Sequence, residues 1–144
     1  MDRPGLLRRA LPFLPVVLWM ALIFSFSTLQ EPRFASNGTA DLVIKKVGHF
    51  TLYAVLALTL GFAFDRVLAD GRRSSWPVRL AFGLAVLFAA SDELHQAFTP
   101  TRDPSVIDVG IDSLGALAGV LVWHLVGRRW VGRARTHQPG PPPN

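Results

Sequence analysis

The sequence predicts an all-α, polytopic membrane protein with four transmembrane helices and both termini in the cytoplasm. Three observations carry that prediction. Half of the 144 residues are hydrophobic and only 17% are charged, against about 25% charged in soluble domains, and the mean hydropathy is +0.33. Apolar runs long enough to cross a bilayer recur along the chain. The basic residues, 13 of 15 of them arginine, lie mainly between those runs, as membrane topology requires and a phosphate-binding face does not. A nucleic-acid partner is therefore not expected despite a pI near 11.0. With no cysteine, disulfide scaffolds, thiolate metal sites and cysteine nucleophiles are excluded.

The first run holds 21 uncharged residues between Arg9 and Glu31, and the second 18 between Lys46 and Asp65. Either can cross a hydrocarbon core, which takes roughly 17–25 residues. No A-x-A site follows Phe26, so the first run is expected to remain as a span and not to be cleaved as a signal peptide. The third run, Leu80–Ser91, has 12 residues and must continue through Asp92–Phe98 to span. The fourth, Ser113–Gly127, is long enough if it starts near Val106. With both termini inside, 11 Lys and Arg face the cytoplasm and four face outward, in the sense of the positive-inside rule. The chain then divides into a cytoplasmic N-terminus (1–10), a membrane domain (11–127) and a basic, Pro-rich cytoplasmic tail (128–144) expected to be disordered.

This topology gathers the unusual polar residues at one level, near the outer leaflet. Lys46, His49 and Tyr53 lie within roughly 60° of arc on span 2. Asp92, His95 and Gln96 cover roughly 100° on span 3, with Glu93 on the flank and Leu94 opposite. Asp108 and Asp112 share a stripe with Gly115 and Gly119 on span 4, and such a glycine pair admits a close helix, within one chain or between two copies. Ser25, Ser27, Thr28 and Gln30 close span 1 on the same side.

Plainer readings stand beside these. Asp108, three residues after Ser105, fits a capping box. Asp41 and Lys45 form an i,i+4 pair, and Lys45 can also snorkel to headgroups. Tyr53 suits an interfacial anchor, and His124 reads as structural. Asp92-Glu93-Leu94-His95-Gln96 resists such a reading: ionisable groups at a membrane boundary cost a few kcal/mol each when unpaired. The alternatives are a structural network with Lys46 and Arg102, or a ligand, ion or catalytic site.

Two segments resemble the VanZ-like family of small bacterial membrane proteins. Lys46-Val-Gly-His49-Phe50-Thr-Leu-Tyr53 is similar to its K-x-x-H-F-x-x-Y. Ser91-Asp92-Glu93-Leu-His95-Gln96-Ala-Phe98-Thr-Pro100-Thr-Arg102, followed by Asp108, Asp112, Gly115 and Gly119, is similar to its D-E-x-H-Q-x-F-x-P-G-R and D-x-x-x-N/D-x-x-G-x-x-x-G. The resemblance covers roughly Leu11 to Val126. It departs at Lys45, where the family has an acid, and at Thr101, where it has glycine. It implies a multi-pass fold in the cell membrane and a cell-envelope context, the founding member being associated with low-level teicoplanin resistance; it supplies no reaction.

Two functions follow as expectations. In the first, the cluster (Lys46, His49, Tyr53, Asp92, Glu93, His95, Gln96, Arg102, Asp108 and Asp112) binds a lipid-linked or phosphate-bearing headgroup and modulates glycopeptide susceptibility. The partners are then membrane lipids and a lipid-linked cell-wall precursor. In the second, the chain is an integral-membrane hydrolase or transferase, with Asp92, Glu93, His95 and His49 as acid–base or metal-binding candidates. A divalent cation is compatible with either; the N and O donors suit zinc, manganese and magnesium equally. Catalysis, and a homo-oligomer built through the glycine pair, stay open on the sequence.

Overall fold

In the computed structural model, the described residues are 5–28, 35–68, 75–99 and 104–127, and their regular structure is all helical, with no strand among them. Arg102, Gln30, the first four residues and the tail lie outside them. The first hydrophobic run forms α1 (Leu6–Ala10), a 3₁₀ turn (Leu11–Phe13) and α2 (Leu14–Thr28). Pro12 and Pro15 lack an N–H, so the chain tightens there without leaving the helical course. The remaining helices are α3 (Gly38–Leu68), α4 (Trp76–Gln96) and α5 (Val106–Val122), the last continued by a π turn over Trp123–Gly127. The Asn37 side chain caps α3 by accepting the Thr39 N–H at 2.9 Å.

Three of these stretches, Leu6–Thr28, Gly38–Leu68 and Val106–Gly127, are long and apolar enough to cross a membrane. Of the four spans expected, α4 is not among these. Its apolar core is short because Arg79 closes it at one end and Asp92 and Glu93 at the other, so length and composition alone do not qualify it.

The helix α3 is the hub, packing on α2, α4 and α5. Its face of Tyr53, Leu56, Ala57, Leu60, Ala63 and Phe64 is buried. Ala81, Ala85 and Ala89 repeat every fourth residue on α4 and are fully buried, so small side chains bring two helices close. On α5, Asp112, Gly115, Ala116, Gly119 and Val120 make the matching stripe. A Cβ at Gly115 would stand 2.2 Å from the Phe50 carbonyl oxygen, and one at Gly119 2.0 Å from that of Ala54. The glycine stripe therefore seats α5 directly on the α3 backbone, within one chain. By contrast α2 buries little: Val16, Ile23 and Ser27, plus an indole hydrogen bond from Trp19 to the Leu52 carbonyl at 2.8 Å.

One end of the bundle is closed by aromatic packing. Trp123 donates its indole N–H to Asp65 Oδ2 at 2.9 Å, sits edge-on to Phe62 and covers Gly61, while Phe13 meets Phe64 edge-on. The polar cluster occupies the opposite end.

Candidate functional site

The cluster is assembled where α3, α4 and α5 meet, with α2 along one side. On α3, positions 46, 49 and 53 follow one another at helical spacing toward the core. Lys46 pairs with Asp108 of α5. His49 Nδ1 lies 3.2 and 3.4 Å from the two Asp112 oxygens. Tyr53 is fully buried, which overturns its reading as an interfacial anchor. On the outer turn, Lys45 binds Asp41 at 2.9 Å, the local i,i+4 pair.

On α4, Asp92 and Gln96 are buried and Leu94 is 63% exposed, as the helical phase implies, but Glu93, expected on the flank, is buried with them in place of His95. Gln96 donates to Asp92 Oδ2 at 3.2 Å. Glu93 Oε2 accepts the Ser105 backbone N–H at 2.9 Å. That contact corrects the capping-box reading. The N–H that a local acid at Asp108 would satisfy is taken by Glu93 from another helix, and the Asp108 carboxylate turns to Lys46. Ser105, at the start of α5, is thereby tied to α4.

The structure brings His49, Glu93 and Asp112 together, with one donor atom of each within 4.8 Å of the others. His95 is not part of that group. Its ring lies against Phe24 of α2, centroids 4.5 Å apart. Arg102 lies outside the described residues. Among the described residues the cluster thus holds four carboxylates, Asp92, Glu93, Asp108 and Asp112, against Lys46 and His49, and the local balance is acidic.

A cavity of about 50 Å³ adjoins this group, lined by Ile23, Phe26, Ser27, His49, Leu52, Tyr53, Asp92 and Gln96. That is room for roughly three to five waters or one small polar group. Ser27 Oγ, Tyr53 OH and Asp92 Oδ1 are buried and have no hydrogen-bond partner among the described residues. Leaving such atoms unsatisfied costs about 1–3 kcal/mol each. Three of them around one cavity indicate that the cavity takes polar contents. Ser27 is the participant that the helical-phase argument placed only at the right level; its role depends on how α2 rotates, which a nearly all-apolar helix does not encode.

Tyr53→Phe is expected to change the thermal stability of the detergent-solubilised protein by less than about 1 kcal/mol, because the hydroxyl stands near Asp92 without a hydrogen bond of good geometry to lose. A larger loss, read from the unfolding midpoint, would mean that the phenol holds the bundle together.

A protein-family model described as VanZ/LLP1 matches residues 12–127. No curated protein and no solved structure matches the chain.

Proposed function

Since the chain belongs to the VanZ/LLP1 family and carries apolar membrane-length helices, we propose that it is a cell-membrane protein whose polar cluster binds the headgroup of a lipid-linked envelope molecule and so modulates susceptibility to teicoplanin. The carrying observation is the cavity with its three unpartnered polar atoms. A hydroxyl donor, a phenol and a carboxylate oxygen around one opening match a single hydroxyl or amide group of a headgroup.

In this reading α4 is the fourth crossing. Its 21 residues reach about 31 Å at 1.5 Å per residue, close to the hydrocarbon thickness. Its acids point into the bundle and not into lipid, which is where intramembrane charges are tolerated. Four crossings put both termini in the cytoplasm, following the arginine distribution, and set the cluster at the outer leaflet. A headgroup there lies at the level where glycopeptides meet cell-wall precursors.

The test compares wild type with Asp92→Ala at matched membrane levels in a glycopeptide-susceptible host, reading teicoplanin and vancomycin susceptibility. Protection by wild type and its loss in Asp92→Ala is the expected result. Equal protection by both removes Asp92 from the site, and protection by neither overturns the envelope reading.

A further inference from the structure

We propose that His49, Glu93 and Asp112 form a binding site for one first-row divalent cation of the zinc class. The proposal does not depend on the headgroup reading. It rests on four features of the cluster.

The donors come from three helices, α3, α4 and α5, and converge within 4.8 Å. Ligands held at about 2.1 Å by one tetrahedral ion stand roughly 3.4 Å apart. The His49–Asp112 edge, at 3.2 Å, already has that length, and a Glu93 oxygen stands within 4.8 Å of both.

The His49–Asp112 contact is also a poor hydrogen bond. Nδ1 faces both carboxylate oxygens at 3.2 and 3.4 Å, at and beyond the long edge of the N–H···O range. A nitrogen poised between two oxygens suits a shared cation better than a directed N–H.

The charge points the same way. Among the described residues, even with the imidazole protonated, the four carboxylates exceed Lys46 and His49 by two charges, and a divalent ion in place of the imidazole proton reduces that excess. Buried like charges are otherwise costly.

The fourth feature is the cavity that meets the triad at His49. Tyr53, 0% exposed, and Asp92, 4% exposed, present unpartnered oxygens to the cavity that His49 also lines. An ion with three protein ligands keeps an open position for water or a substrate oxygen, and these atoms supply the hydrogen bonds for it. Glu93 already has an outer partner, the Ser105 N–H on Oε2, of the kind that fixes a ligating carboxylate. The imidazole selects a transition ion over magnesium or calcium.

The test uses the full chain, without a histidine tag, in a neutral detergent after chelation and desalting. Mn²⁺ is titrated by electron paramagnetic resonance in excess Mg²⁺, and Zn²⁺ is then added as competitor. One Mn²⁺ per chain, released by stoichiometric Zn²⁺, is expected, because Zn²⁺ binds such donors more tightly. Glu93→Gln keeps the side-chain shape and still accepts the Ser105 N–H, yet is expected to weaken binding at least roughly tenfold. His95→Ala, whose ring is stacked on Phe24 and lies outside the triad, is expected to stay within about twofold of wild type. Asp112→Asn serves as the second ligand variant if Glu93→Gln fails to elute as folded protein. Absence of stoichiometric uptake by wild type, unchanged affinity in a folded ligand variant, or equal loss in His95→Ala would each overturn the site.

Discussion

Gly119→Leu is expected to stop the chain from accumulating as folded protein. A single Cβ there would lie 2.0 Å from the Ala54 carbonyl oxygen and 2.9 Å from its carbon. The obstruction is helix backbone, so no side chain can swing aside, and α3 and α5 must separate. That separation would uncover the stripe of Asp112, Gly115, Ala116 and Val120 and pull apart both cross-helix pairs, Lys46–Asp108 and His49–Asp112. Overpacking against movable side chains costs about 1–3 kcal/mol; against backbone at the hub of the bundle the loss should exceed about 3 kcal/mol. Gly110→Ala, on the same helix with nothing within 4 Å of its Cβ, is the control. It should be neutral or gain up to about 1 kcal/mol from helix propensity. Size-exclusion profiles and unfolding midpoints in detergent read both. A Gly119→Leu protein that melts with wild type would reassign the stripe to contact between two chains.

Much of this arrangement is legible in the residues because helical period and membrane cost act locally. The spacing of Lys46, His49 and Tyr53 fixes one face of α3 whatever it packs against. The apolar setting forces Asp92, Glu93 and Gln96 away from lipid and turns Leu94 outward. The start of α5 at Val106 follows from the length needed after the Ser105 turn. What the sequence did not show is set by rotation and proximity between helices. Nothing local says that Glu93 should accept the Ser105 N–H; a capping box with Asp108 satisfies the same donor on paper. His95 and Gln96 sit side by side on α4, yet one turns to Phe24 of α2 and the other to Asp92. The three-member grouping of His49, Glu93 and Asp112 takes one residue from each of three helices, and no spacing along the chain encodes it. Tyr53 shows the limit of composition most plainly: an aromatic at a membrane boundary suits an anchor, and only packing beside Phe88 of α4 reveals it as core.

The pairing of His49 with Asp112 yields the second large effect, and its asymmetry makes it informative. The Asp112 side chain is 1% exposed, whereas that of His49 is 23% exposed. Removing His49 strands a carboxylate that is 1% exposed, beside Asp108, Glu93 and Asp92, and among the described residues Lys46 alone is left to offset four acids. Breaking a buried pair from that side costs about 3–5 kcal/mol. Asp112→Asn is milder. The amide oxygen still accepts the imidazole N–H, the ring can remain neutral, and its exposed edge reaches water, so about 1 kcal/mol is expected. Unfolding midpoints taken with chelator present, so that no bound ion contributes, should therefore rank His49→Ala well below Asp112→Asn. The double variant should be more stable than His49→Ala alone, because the second change removes the stranded charge. If the double variant instead falls below both single variants, the acids of this cluster are not held in mutual repulsion, and the electrostatic argument for a cation among them loses its basis.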